Sequence, residues 1–127
     1  MRIHLALLVL LCAAAPAQLK STLNIPSPKT RGIASWYGKR EQGKPMANGQ
    51  PFDRNKYTAA SRTYKLGTYL EVTYPRTGIT VLVRVTDRGP WVKGRVIDLS
   101  ERAATTLGLK QRGLGEVEIQ PLHFRPL

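Results

Sequence analysis

A small, mainly-β domain with one short helix is the fold this sequence predicts, and three observations predict it. Apolar residues recur at every second position in short runs, most clearly at Ile79, Val81, Val83 and Val85, the period at which a strand turns side chains to alternate faces. Glycines and prolines punctuate the intervals between those runs. Only the stretch after Ser100 has helical spacing with a start and a stop signal. The 127 residues, 42% hydrophobic and 22% charged, fit one globular domain rather than a disordered or collagen-like chain.

Residues 1–17 read as a secretory signal: Arg2 precedes an aliphatic run from Leu5 to Leu11, and Ala15-Pro16-Ala17 has the small-x-small pattern of a cleavage site. The run is about half the ~20 residues that a membrane-spanning helix needs, so no transmembrane helix is expected in the mature chain. Lipid anchoring at Cys12 is not expected, because Leu11 stands where a lipobox carries a small residue. Export therefore points to the periplasm or cell envelope. Residues 18–31, polar with two prolines and no periodicity, read as a flexible tether. The domain itself is expected over residues 32–121, with 122–127 as a tail.

Within it, strands are expected at 33–37, 69–74, 79–86, 95–99 and 116–120. The second and third form a hairpin across Pro75-Arg76-Thr77-Gly78, where proline fixes φ and glycine supplies the turn. For the helix, Ser100 is the N-cap, Glu101 suits the positive end of the dipole, Ala103, Ala104 and Leu107 form the apolar face, and Gly108 ends it. Residues 38–56, rich in Gly, Pro, Asn and Lys, read as a long surface loop, a length that usually carries function.

Charge and residue usage exclude several classes. Twenty Lys and Arg against 8 Asp and Glu give a net charge of +12, of which the leader holds only Arg2. In an exported protein such a balance favours anionic surfaces such as wall glycans with their peptide carboxylates, teichoic acids or lipid head groups. The basic residues are scattered and not interleaved with aromatics, which argues against nucleic acid as a partner. Cleavage would remove Cys12 and His4, leaving no cysteine and only His123, a tail residue. Cysteine nucleophiles, disulfides and multi-His or multi-Cys zinc sites are thereby excluded, and a serine triad would have to recruit that tail histidine.

Six motifs occur in order: Ala34-Ser35-Trp36-Tyr37-Gly38, Ala47-Asn48-Gly49, Thr58-Ala59-Ala60, Leu66-Gly67-Thr68, Val85-Thr86-Asp87-Arg88-Gly89-Pro90 and Ile97-Asp98-Leu99-Ser100. Together they resemble the RlpA (rare lipoprotein A) family, the septal-ring lytic transglycosylases, over residues 32–121. The resemblance implies a six-stranded double-psi β-barrel with one or two short helices, related in fold to expansins and barwin. It also implies action on peptidoglycan glycan strands without metal or cofactor, giving 1,6-anhydro-muramic ends, in a protein expected to be a monomer. Many members carry a C-terminal glycan-binding SPOR domain, which a sequence ending at Leu127 is expected to lack.

The reaction needs a carboxyl group to protonate the glycosidic oxygen and a base to help the muramic acid 6-hydroxyl attack its own anomeric carbon; one carboxyl with a raised pKa can do both. Asp87, at a strand end before the Gly89-Pro90 turn, is the catalytic candidate, with Glu41, Asp53 and Asp98 as auxiliary carboxylates. Asp98 has an alternative role, bonding backbone amides at the helix start. Glu41 would act if the long loop folds over the groove. Family members carry a Glu after the Asn-Gly turn and a His after the Thr-Ala-Ala run, where this chain has Gln50 and Ser61. Neither can replace the proton chemistry of a carboxyl or an imidazole, so a non-catalytic, expansin-like glycan-binding module is the alternative.

Glycan contacts are expected from Trp36, Tyr37, Asn48, Gln50, Ser61, Arg88 and Trp91, the aromatics by stacking on sugar rings. Alternation turns one of Trp36 and Tyr37 inward and the other out, and Trp91 is the expected groove residue. Arg88 has two roles open to it: pairing with Asp87, which would lower its pKa, or holding a substrate carboxylate.

Overall fold

A computed structural model describes residues 27–123. The expected leader and most of the expected tether lie outside the described residues, as does the end of the tail. The strands are β1 (Thr30–Tyr37), β2 (Thr58–Ala60), β3 (Tyr69–Tyr74), β4 (Ile79–Asp87), β5 (Arg95–Ser100) and β6 (Gly115–Leu122), with one helix, α1 (Glu101–Leu107), and a short 3-10 turn at Lys39–Glu41. They close into a barrel in the order β1, β5, β2, β4, β3, β6. Two pairs run parallel, β1 with β5 and β2 with β4; the others are antiparallel.

The elements follow from local chemistry. Val81, Val83 and Val85 of β4 point inward and are buried, whereas Ile79, on the same face, lies at the strand start and is 40% exposed. Leu70 and Val72 of β3, Ile97 and Leu99 of β5, and Val117 and Ile119 of β6 meet those valines in one core. The β3–β4 turn closes with Gly78 N donating to Tyr74 O at 2.8 Å, Gly78 standing at φ +73°, a value that suits glycine. Ser100 caps α1 by accepting from Ala103 N at 3.3 Å, and its hydroxyl donates to Lys56 O at 2.6 Å, so one side chain ties the helix to the long loop. Ala103, Ala104 and Leu107 seal the core as the spacing requires.

Three expectations need correction. The barrel's sixth strand, β2, was visible only as the Thr58-Ala59-Ala60 motif; it is three residues long and buried throughout, too short to show alternation. The start of β1 lies at Thr30 rather than 33, because Thr30 and Arg31 pair with Ile119 and Glu118 of β6. The segment read as a tether through residue 31 thus ends inside the sheet. Trp36 and Tyr37 do not divide into one buried and one exposed ring. Both are half-buried, because each has its own cover: the Lys110 ammonium lies 5.6 Å over the Trp36 ring, and Phe52 stacks on Tyr37 with ring centroids 4.3 Å apart. Among the described residues no helix is long and apolar enough to cross a membrane.

Candidate active site

One end of the barrel is where β1, β2, β4 and β5 deliver Tyr37, Ala60, Asp87 and Asp98. The long loop bends over that end. Gly43 N donates to Phe52 O and Phe52 N to Lys44 O, so the loop doubles back on itself, with an isolated bridge between Pro45 and Pro51. Its tip docks on the end of β4: Asn48 N donates to Thr86 O at 3.1 Å and Ala47 N to Asp87 Oδ1 at 2.9 Å. Phe52, 2% exposed, plugs in beneath the loop against Tyr37. Loop and barrel end enclose a cleft of about 260 Å³ lined by Tyr37, Glu41, Met46, Phe52, Asp87, Arg88 and Asp98, among others.

Three carboxyl groups meet there, each held by a different device. Asp87 Oδ1 accepts from Ala47 N and from Arg88 N, both at 2.9 Å, which fixes its plane. Asp98 accepts from the Ser35 hydroxyl on the parallel neighbour β1, with which it is in register. Glu41 Oε2 accepts from Gly38 N at 2.9 Å, and the 3-10 turn brings it to the cleft wall. Burial pushes the Asp98 carboxyl above the ordinary range, with the nearby Glu41 and Asp87 charges adding to the push and the Ser35 bond and Arg95 opposing it. The Tyr37 phenol is also raised, first by burial and then by Asp87, Asp98 and Glu41, so it stays a neutral O–H. That hydroxyl is buried and has no hydrogen-bond partner. Among the described residues no group of His, Cys, Asp and Glu is arranged to hold a metal ion.

Asp98 does not cap the helix; Ser100 does. Arg88 makes no ion pair with Asp87: its guanidinium Nη1 donates to Ser61 O at 2.7 Å and Tyr64 O at 2.6 Å, so it braces the turn after β2 at the edge of the cleft. Ser61 is 1% exposed, its Oγ accepting from Thr63 N and Tyr64 N. Asn48, Gln50 and Asp53 line a second cleft of about 400 Å³, together with Tyr57, Tyr69 and Arg84. Met46 lines both clefts and forms the ridge between them. Trp36 faces the core, its indole N–H donating to Lys110 O at 3.0 Å. Trp91 is 77% exposed and lines neither cleft.

Sequence reasoning passed over Ser35, Met46 and Phe52. Ser35 carried a signal, since it sits in the Ala-Ser-Trp-Tyr-Gly motif two positions before Tyr37. Phe52, a lone aromatic in a polar loop, carried a weaker one.

The family model described as "Lytic transglycolase" matches residues 29–119. The chain belongs to the RlpA-like double-psi β-barrel family. Among RlpA relatives, the probable endolytic peptidoglycan transglycosylase RlpA of Synechocystis is 50% identical over 88 residues, covering 69% of this chain and 27% of that one. The endolytic peptidoglycan transglycosylase RlpA of Pasteurella multocida is 48% identical over 89 residues, covering 70% of this chain and 30% of that one. The chain thus spans about a third or less of these RlpA proteins. In structure, the RlpA-like barrel matches apo Clavibacter michiganensis expansin with a TM-score of 0.61 and 27% identity, over 79% of this chain and 53% of that one. It matches Streptomyces papain inhibitor with a TM-score of 0.63 over 78% of this chain and 98% of that one, a likeness at 24% identity that shows shared fold alone.

Proposed function

We propose that this chain is an exported peptidoglycan-active protein that cuts glycan strands as a lytic transglycosylase. The observation that carries this reading is the meeting of Asp87 and Asp98 in one cleft, one carboxyl fixed by two amides and the other inclined by burial to keep its proton. The relatives' names supply the substrate class. Asp98 donates its proton to the glycosidic oxygen as the bond to the muramic acid anomeric carbon breaks. Asp87 takes the proton of the 6-hydroxyl as that oxygen closes on the same carbon, and return of the proton to Asp98 resets the pair. No water is consumed, and the product is a 1,6-anhydro ring. Because the donor must be protonated, activity falls as pH rises through the elevated Asp98 pKa. The strand lies across Met46 into the second cleft, where the Asn48 and Gln50 side chains and the Tyr57 and Tyr69 rings meet sugar. Trp91, exposed and three residues after the cleft-lining Arg88, offers a further stacking face.

One observation favours a second reading, a glycan-binding module without catalysis. The positions that carry Glu and His in the family hold an amide, Gln50, in the neighbouring cleft and a buried turn-forming hydroxyl, Ser61. Incubating the protein with purified sacculi, intact and stripped of stem peptides, and analysing soluble products by mass spectrometry separates the two. Anhydro-muramic ends from the wild type and none from Asp87→Asn establish cleavage. Retention on sacculi with no new ends from either protein leaves the binder.

A further inference from the structure

A mouth elsewhere on the barrel is chemically unlike the first. There β3 ends at Tyr74, β4 begins and β6 begins at Gly115, beside Ala34 of the antiparallel β1. These ends, with the β3–β4 turn and the segment before β6, surround a cleft of about 280 Å³ lined by Arg31, Tyr74, Arg76, Arg112 and Glu116. Arg31 is neutralised, since its guanidinium pairs with Glu118 and, at 3.6 Å, with Glu116. The guanidinium groups of Arg76 and Arg112 have no ion-pair or hydrogen-bond partner among the described residues. Two free guanidinium groups therefore face one concave site whose floor includes a buried tyrosine.

Both arginines stand on braced backbone. The Arg76 turn is closed by Gly78 N donating to Tyr74 O, and the Thr77 hydroxyl pins it to Leu107 O at 2.7 Å. Arg112 N and Gly113 N both donate to the carbonyl of Leu109, whose side chain is fully buried. Backbone held this way lowers the ordering cost of a two-pronged clamp. A guanidinium is a planar fork suited to oxyanions, and it grips phosphate and carboxylate alike by two parallel N–H bonds. A phosphate group offers more acceptor oxygens and, as a repeated phosphodiester or clustered head group, more charge.

From this we propose that the mouth formed by Arg76 and Arg112 is a binding site for phosphate groups of an anionic polymer or lipid head group, independent of any glycan chemistry in the carboxyl-lined cleft.

The full chain is titrated with inorganic tripolyphosphate by isothermal calorimetry, and with vesicles of phosphatidylcholine with and without phosphatidylglycerol by co-sedimentation. The double variant Arg76→Ala/Arg112→Ala is compared with Lys39→Ala/Lys93→Ala, which removes the same charge at exposed positions that line neither mouth; circular dichroism confirms that both fold. The arginine pair is expected to lose at least about tenfold in affinity and the lysine pair less than about twofold. Tripolyphosphate binding with the arginine-specific loss assigns the site to phosphate groups in general. Loss seen only on phosphatidylglycerol vesicles assigns it to lipid head groups. Equal losses in the two variants, equally tight binding of poly-glutamate, or no binding of either probe would overturn the proposal.

Discussion

Two mouths of the barrel differ in charge: one gathers Glu41, Asp87 and Asp98 with Lys44 and Arg88 beside them, and the other Arg31, Arg76 and Arg112 with Glu116. At the acidic mouth a long loop folds over, and the three carboxyls are individually hydrogen-bonded. At the basic mouth Arg76 and Arg112 are exposed, and their guanidinium groups are unpaired among the described residues. Burial raises the Asp98 carboxyl above its ordinary range, whereas an exposed, unpaired guanidinium stays a plain point of electrostatic attraction. In a chain of net charge +12, the acidic end exists because local strand chemistry overrides the composition.

The sharpest way to break the contrast is at the acidic mouth. Asp87→Asn is expected to reduce anhydro-muramic product by about 10²–10⁴-fold, the range for losing a positioned acid or base, with melting temperature little changed; product at the wild-type rate would remove Asp87 from the chemistry. Next comes the shared core. Leu107→Ala opens a cavity in the core and is expected to lower stability by about 2–5 kcal/mol in chemical denaturation, with a common midpoint for probes at either cleft. Probes that separate would show that the two clefts unfold independently.

Smaller effects sharpen the role of cover. Asp98 is raised in the folded state, so at neutral pH its ionised form detracts from stability, and that deficit disappears as pH falls below the ordinary carboxyl pKa of about 4. Asp98→Asn is accordingly expected to melt higher than wild type at pH 7 and to lose that advantage below about pH 4; a pH-independent difference would mean that burial is not what sets this group. Tyr37→Phe removes a buried hydroxyl that has no partner, and is expected to be neutral or stabilising by up to about 1 kcal/mol. A clear loss of stability in thermal melts would reveal a partner for that oxygen.

Much of this architecture was legible before any coordinates. Period-two runs placed five strands, and the Ser100 to Gly108 signals placed α1, because those features are written within a few neighbouring residues. β2 left no such trace, since three consecutive buried residues in a barrel look like any small apolar stretch. At the site, Asp87, Asp98 and Glu41 were named from sequence and do share a cleft, whereas Asp53, Asn48 and Gln50 fall beyond the Met46 ridge. The division depends on how the loop folds back, which Phe52 decides through a contact with Tyr37 that no local pattern announces. Arg88 was similarly opaque: adjacency to Asp87 suggested a pair, but the carbonyls of Ser61 and Tyr64 claim its guanidinium.

Near the two ends of the described chain, the Ser27 hydroxyl and His123 Nε2 are 2.7 Å apart, and the Gln120 amide donates to Ser27 O. Entry and exit side by side make the barrel a portable cassette: it can be spliced into a host protein's surface loop, or closed into a ring by a short glycine-serine bridge, without disturbing either mouth.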